Sequence, residues 1–490
     1  MSISVNKCLL FALHLVFLNA ASFVVNASPW IEVGDERLRN NLIFLNDSGA
    51  MTISLTTWPV MWADVDVALK NVDRFSLNSA QKGSVRELEF EMRRQTRQGL
   101  KHSVEFIAAS SRALFRSFSS FNREKGEVHN TFDWDGESFA IKLRSNLTTD
   151  PDDSLEKQFD GSYVAGVLGE WLLGVGAVDR WWGAGSQSNL ILTNNARPVP
   201  AFMLRTKRSQ HFETPLLSWL GEWQFIAFLG QMESARTIPD AKLTGMRFTF
   251  KPIDNLEFGL SRAMQWGGEG RDNDLKTFWK SITTKDENTV DQAGNQLGGV
   301  DIRYNFSFSS VINGAIYAQT IGEDEAGYLP SRRMYQFGFK SAINTVKSDV
   351  IHFFSEYTNT ITDSFGDKRF NSSYEHDLYK AGYRFYGRSL GATYDNDSRV
   401  ISVGGAYQQV NGKLSNLTIS YMKLNEDGVA RGNTVSTSDK SLFFVMVSHQ
   451  QLFVGGQLKF GVSYQSEELS NLNESVGQTS VITSWEYRFE

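Results

Sequence analysis

Trp485-Glu486-Tyr487-Arg488-Phe489-Glu490 closes the chain, and its reading decides the fold. Trp485, Tyr487 and Phe489 alternate with Glu486 and Arg488, so in an extended strand the three rings share one face. Outer-membrane barrels commonly end in such an aromatic-alternating strand, which the barrel-insertion machinery reads; Glu490, one residue further on, is a small departure. The same period of two runs back through the chain. Leu458, Phe460, Val462 and Tyr464 alternate with Lys459, Gly461, Ser463 and Gln465; Tyr335, Phe337 and Phe339 with Gln336, Gly338 and Lys340. Ile302, Tyr304, Phe306 and Phe308 do so with Arg303, Asn305, Ser307 and Ser309, and Met246, Phe248 and Phe250 with Arg247, Thr249 and Lys251. Phe139, Ile141 and Leu143, and Tyr379, Ala381, Tyr383 and Phe385, repeat the pattern. One face is apolar and aromatic; the other carries Lys, Arg, Ser and Gly.

A soluble β-sandwich also alternates, so length and ending must decide. The pattern persists from about Gly99 to the end, broken by polar stretches such as Arg271-Asp272-Asn273-Asp274 and Thr284-Lys285-Asp286-Glu287. At about 9–11 residues per spanning strand and a similar allowance for each turn, residues 99–490 accommodate about 18–20 strands. Closing them into a barrel removes the edges that an open sheet of this size would expose. Composition agrees: 35 Phe, 15 Tyr and 12 Trp stand against 9 Pro, which suits long uninterrupted strands. The net charge of −6 lacks the basic excess of a nucleic-acid binder.

The first residues read as an export signal: Lys7, an apolar core from Cys8 to Phe17, and Val25-Asn26-Ala27 with small residues at −3 and −1 of a cleavage site. Cleavage after Ala27 removes Cys8, the one cysteine, so disulfides cannot stabilise the mature chain. Beyond residue 27 no run of 18 apolar residues occurs, which excludes a helical membrane protein but not a β-barrel.

Before Gly99 the period is helical. Asp35 is placed to cap a helix carrying Leu38, Leu42 and Leu45, with Gly49 ending it. Ser84 and Glu87 have capping-box spacing for a second helix, with Val85, Leu88 and Met92 on one face and Arg93, Arg94 and Arg97 in its last turn. Arg86 joins these three in an arginine-rich surface, read as a solvated face. Thr56-Thr57-Trp58-Pro59 between the helices must be extended or turning. The expected architecture is an all-β transmembrane barrel of about 18 antiparallel strands with an N-terminal helical bundle. Its divisions are a signal peptide over 1–27, a helical plug region over 28–98 and a barrel over 99–490.

Several ordered motifs carry a resemblance. They are Ser28-Pro29-Trp30 leading into Gly34-Asp35-Glu36-Arg37-Leu38-Arg39, Leu55-Thr56-Thr57-Trp58-Pro59, and Asp179-Arg180-Trp181-Trp182-Gly183. Leu190-Ile191-Leu192-Thr193-Asn194-Asn195-Ala196-Arg197-Pro198-Val199-Pro200, Asp240-Ala241-Lys242-Leu243-Thr244-Gly245-Met246-Arg247 and Gln265-Trp266-Gly267-Gly268-Glu269-Gly270-Arg271 follow in order. In these segments the sequence resembles the capsule assembly protein Wzi family; beyond residue 271 it matches mainly as barrel strands. The resemblance implies an 18-stranded outer-membrane barrel closed at its periplasmic end by a helical bundle. It also implies a lectin-like role in attaching and organising capsular polysaccharide or exopolysaccharide at the cell surface.

For carbohydrate contact the candidates are Trp181, Trp182, Asn194, Asn195, Arg197, Trp266, Glu269 and Arg271. Sugar C–H faces pack on indoles, and hydroxyl rims suit amide and guanidinium groups. The competing reading places the tryptophans in an interfacial belt, and Asp179 with Arg180 in a lumen ion pair. Gly267, Gly268 and Gly270 suggest positive φ or close backbone approach. No catalytic residue, metal site or cofactor is expected: the seven His are scattered with none at a zinc-protease spacing, and no G-x-S-x-G occurs. A diffusion porin or sugar-specific channel is the alternative, disfavoured by the helical segment ahead of the first strand. Beyond the glycan, the expected partners are outer-membrane lipids and the insertion machinery.

Overall fold

The computed structural model describes residues 29–283, 294–309, 311–326, 329–364, 367–430, 432–470 and 475–489. The export signal over 1–27, the Thr284–Glu287 stretch and Glu490 lie outside the described residues. Among the described residues the wall is one closed barrel of 18 antiparallel strands. They are β1 (Gly99–Ala109), β2 (Gly126–Asp135), β3 (Phe139–Thr149), β4 (Tyr163–Leu168), β5 (Trp171–Gly176) and β6 (Ala201–Thr206). Next come β7 (Glu222–Gln231), β8 (Lys242–Ile253), β9 (Leu256–Trp266), β10 (Gly294–Ser307), β11 (Ile312–Ala326) and β12 (Leu329–Asn344). The last six are β13 (Val350–Ser364), β14 (Arg399–Gln408), β15 (Leu414–Leu424), β16 (Lys440–Phe453), β17 (Gly456–Gln465) and β18 (Thr479–Phe489). Closure falls between β18 and β1, in register from Ile482 opposite Ala109 to Phe489 opposite His102.

Its packing is the reverse of a soluble protein's. Outward residues are apolar and open: Leu260, Val300, Ile316, Phe337 and Val447 are 42–51% exposed. Inward neighbours are polar and enclosed, with Arg247, Asp301, Gln319, Gln336 and Glu356 all at 4% or less. An outer face of this kind is stable only against hydrocarbon. No described helix is long and apolar enough to cross a membrane.

The two rims differ. At one, β2–β3, β4–β5, β8–β9 and β16–β17 are joined by two or three residues, with a longer connection over 207–221. Aromatic rings ring this end: Phe250 stacks on Phe258 at 5.2 Å and Phe306 on Phe339 at 6.4 Å. Trp485, Tyr487 and Phe489 continue the girdle, with successive centroids 5.7 and 4.9 Å apart. At the other rim most connections are long, notably 177–200 and 365–398.

The N-terminal region has three helices, α1 (Glu36–Asp47), α2 (Trp62–Lys70) and α3 (Ser79–Gln95). Asp35 caps α1 as expected, accepting from Leu38 N at 3.1 Å, and Gly49 takes φ +72° beyond its end. The start of α3 lies five residues earlier than Ser84. Asn78 and Gln81 form its capping box, leaving Ser84 buried in mid-helix. Arg86, Arg93 and Arg97 are solvated, while Arg94 pairs with Glu91 at 2.5 Å. Helix α2 was not foreseen, because it is short and has no side-chain cap.

Tyr379 to Phe385 does not form the wall strand its alternation predicts. It belongs to the long connection after β13, and only Arg384–Phe385 forms a small hairpin, with Arg388–Ser389. Tyr379, Tyr383 and Phe385, which the alternation would turn to lipid, are all buried, and so is Arg384 between them. One further helix, α4 (Leu275–Thr283), follows β9.

Candidate functional site

A polar lumen must pair every group it encloses, and here the partners come from both rims. From the short-turn rim, α1 and the segment after it meet the wall. Asp47 pairs with Arg303, Asn46 O accepts from Asn305 at 2.9 Å, and Asn41 accepts from Gln408 at 2.8 Å. Glu257 of β9 accepts from Leu55 N (3.1 Å), Thr56 N (3.2 Å) and Thr56 Oγ1 (2.6 Å), and from Ser54. Beside it Arg247 and Asp301 form a two-pronged ion pair (2.6 and 2.9 Å), and Arg247 also donates to Thr56 and Thr57.

Asp64 on α2 ties the helix to the wall, accepting from Ser209 N (2.5 Å) and Gln224 Nε2 (2.9 Å). Burial pushes its carboxyl up to about 6, against the opposing effect of the Ser209 bond and Arg205. A carboxyl raised on folding contributes stability that is full below its unfolded value and is lost as pH rises through the folded one. Between pH 4 and 6 the docked region is therefore expected to weaken by about 3 kcal/mol. Asp64→Asn should flatten that dependence, read by hydrogen exchange of α2 against pH.

From the other rim, 177–200 folds into the barrel. Trp181 and Trp182 pair antiparallel with Trp58 and Thr57, and Gly183 N donates to Thr56 O at 2.8 Å. The long connections of one rim and the N-terminal region of the other thus share a small sheet inside the lumen. The wall grips the loop: Gln319 holds Leu190 N (2.7 Å) and Trp182 O (3.0 Å), and Glu356 accepts from Ser186 N (2.7 Å) and Ser188 N (3.2 Å). The 365–398 connection lies against it, with Tyr374 and Tyr383 hydroxyls donating to Leu190 O (2.6 Å) and Ile191 O (3.0 Å).

The eight candidate residues fare unevenly. Trp181 and Trp182 are 0% exposed, so neither indole offers a face to a sugar, and neither sits in a membrane belt. Both expectations are corrected for one reason: the loop returns into the lumen instead of spreading over the rim. Asn194 and Asn195 are also buried; Asn195 bridges Ser389 O (3.1 Å) and Thr393 Oγ1 (2.9 Å). Arg197 forks onto Asp160 (2.8 and 2.9 Å), pairs with Asp153 and covers the Tyr386 ring at 4.9 Å. Trp266 lies on the outward face at the end of β9 but is buried, its indole N–H on Thr244 Oγ1 at 2.9 Å. Glu269 is exposed, and Arg271 lies 5.7 Å from the Tyr379 ring. Gly267, Gly268 and Gly270 do take positive φ (+60°, +105°, +77°). Asp179 turns to Arg123 (3.9 Å), and Arg180 lies over Phe228 (4.1 Å), its guanidinium pulled down to about 10 by burial.

The sequence gives little sign of one unfilled part of the lumen. A cavity of about 150 Å³ separates α1 from the wall of β12 to β18. Arg39, Asn40 and Asn416 line its inner end; Ser117, Ser119, Phe121, Gln187 and Gln478 line it toward the long-loop rim. Arg39 Nε, Asn40 Nδ2, Ser111 Oγ and Asn416 Oδ1 are enclosed without a hydrogen-bond partner in the protein. Hydroxyls, amides and phenyl faces around open polar valences suit a polyhydroxylated ligand or its water. The signal was Ser117-Phe118-Ser119-Ser120-Phe121-Asn122, where Ser and Phe mix without a strand period.

The fold and this site define a class: a membrane barrel with an apolar outer wall and a lumen occupied from both ends. The family model described as "Capsule assembly protein Wzi" matches residues 94–482. The chain belongs to the Wzi family of outer-membrane barrels. It is similar to the solved structure of Wzi from Escherichia coli, described as an outer-membrane protein involved in group 1 capsule assembly and a carbohydrate-binding β-barrel. The TM-score is 0.83 at 25% identity, over 95% of this chain and 100% of that one. It is also 31% identical over 334 residues to an uncharacterised 55.8 kDa protein in the cps region of Klebsiella pneumoniae. That match covers 68% of this chain and 65% of the relative.

Proposed function

We propose that the chain is a lectin-like, non-enzymatic protein that holds and organises capsular polysaccharide or exopolysaccharide at the cell surface. In this reading residues 28–98 close the periplasmic end and residues 99–490 form the barrel. The short-turn rim then faces the periplasm, as is usual for outer-membrane barrels. The observation that carries the proposal is the occupied lumen: 177–200 and the N-terminal region are hydrogen-bonded to each other inside it. A diffusion porin needs a continuous aqueous path there, and these bonded segments lie across it, which disfavours the channel alternative. The carbohydrate binding of the similar Escherichia coli barrel supports the glycan.

Glycan would be engaged at the long-loop rim, at the Ser/Phe-lined mouth of the cavity, with exposed Glu269 and half-buried Arg271 as further contacts. Weak grip at many copies gives firm retention of a polymer. The buried Trp181 and Trp182, with Asn194, Asn195 and Arg197, shape that surface from beneath. Outer-membrane lipids and the insertion machinery complete the partners of this reading.

Two measurements test it. Purified protein in planar bilayers is expected to give no steady conductance, and immobilised polysaccharide is expected to retain it. Phe121→Ala should reduce that retention about tenfold, as loss of one aromatic face at a sugar subsite would. A steady current blocked by sugar would favour the channel. Cell-bound, normally organised polymer in a deletion strain would end the capsule reading.

A further inference from the structure

Helix α4 lies against the outside of the barrel, and the register of β9 establishes this. Gln265 points into the lumen, where its amide donates to Gly382 O at 3.0 Å, and buried Glu257 and Ser261 share its face. Trp266, one residue on, therefore points away from the lumen as Leu260 does, but where Leu260 is 45% exposed Trp266 is covered to 5%. Phe278 of α4 meets that indole with ring centroids 5.5 Å apart, seating the helix on the outer wall. Trp266 ends an 11-residue strand, about the length that spans a bilayer core. Outward Arg262 donates to Gln296 at 2.9 Å and Lys242 stands opposite Trp266, so the contact sits at the headgroup level, just above the apolar band.

Helical spacing puts Leu275, Phe278 and Trp279 on one face at i, i+3 and i+4. Phe278 is half-buried against the wall, whereas Leu275 and Trp279 are 77% and 59% exposed. Lys276 and Lys280, again at i and i+4, are exposed along the flank of that arc. Apolar side chains projecting at the upper edge of an apolar band, with cations next to them, fit an interface that is acyl chain below and anionic above.

We propose that α4 is an interfacial helix seated in the outer leaflet of the membrane. Leu275 and Trp279 enter the acyl boundary, and Lys276 and Lys280 engage the phosphates of lipopolysaccharide. This surface is separate from the rim assigned to glycan, and it would hold that rim at a set height and tilt.

The test uses the whole protein in proteoliposomes whose outer leaflet is lipopolysaccharide. Cys8 is the only cysteine of the chain, so Leu275→Cys can carry an environment-sensitive fluorophore, with labelled wild type as background. Val429→Cys, in the exposed part of the 425–439 connection, is the control. The 275 label is expected to be quenched by lipid-borne nitroxide and shielded from iodide, with the 429 label showing the reverse. Equal iodide quenching at the two positions would overturn the embedded helix. Each lysine near an anionic surface strengthens binding about fivefold. Lys276→Glu with Lys280→Glu should accordingly lower the affinity for lipopolysaccharide by at least about tenfold, while glycan retention stays intact. Unchanged lipopolysaccharide affinity in that variant would overturn the phosphate contact.

Discussion

Asp301→Ala is expected to release the N-terminal region from the wall while leaving the barrel closed. Asp301 is the carboxylate to which Arg247 is forked, and the Arg247 side chain is wholly enclosed. Removing one partner of a buried ion pair strands the other charge and costs about 3–5 kcal/mol. The cost falls on one place, because Arg247 also holds Thr56 O, Thr56 Oγ1 and Thr57 Oγ1. Those residues carry the short sheet that joins the N-terminal region to Trp181 and Trp182. Trypsin should then cut within 29–98 in folded, heat-resistant barrels, and planar bilayers should record openings that wild type lacks. Arg247→Met combined with Asp301→Leu should recover much of the loss, since an apolar pair leaves no charge unpaired. Wild-type protease resistance in the single variant would mean that Glu257 and Arg303 suffice to hold the region.

Trp181→Ala should have a comparable effect from the opposite side. The indole is wholly enclosed, edge-on to Phe118 at 5.5 Å, with Arg39 5.8 Å away. Truncating a buried tryptophan costs about 3–5 kcal/mol. The expected result is loosening of 177–200, increased hydrogen exchange over 54–58 and weaker glycan retention together. Trp181→Phe, which keeps an aromatic body in the site, should preserve most of all three. The coupling matters because the indole reaches no ligand in the closed barrel. Lost glycan retention with unchanged exchange would point to direct contact by the indole and revise the placement of the binding surface.

The wall was legible because its rule is local. Alternation of Phe337 with Gln336, or Phe248 with Arg247, states which side chains face lipid, and a period of two survives any arrangement of the loops. The helical segment was legible for a similar reason: Asp35 and Gly49 mark the ends of α1 through backbone chemistry within a few residues. The start of α3 is not legible in the sequence, because Ser84 and Glu87 imitate a capping box that Asn78 and Gln81 actually form.

The terminal Trp485, Tyr487 and Phe489, with the strands that repeat their period, were enough to determine a closed barrel facing lipid and a helical segment ahead of it. The sequence could not determine where the long connections go. Tyr379 and Tyr383 alternate like wall residues, and Trp181 and Trp182 look like exposed platforms, yet all are buried against partners remote along the chain. Tyr374 meets Leu190, 184 residues away, and Thr56 meets Glu257, 201 residues away. A lumen has room for polar and aromatic groups alike, so neither hydropathy nor period distinguishes a loop that returns inside from one that stays at the rim. Only the closed wall, by bringing Gln319, Glu356 and Arg247 to face the same space, makes folding inward favourable.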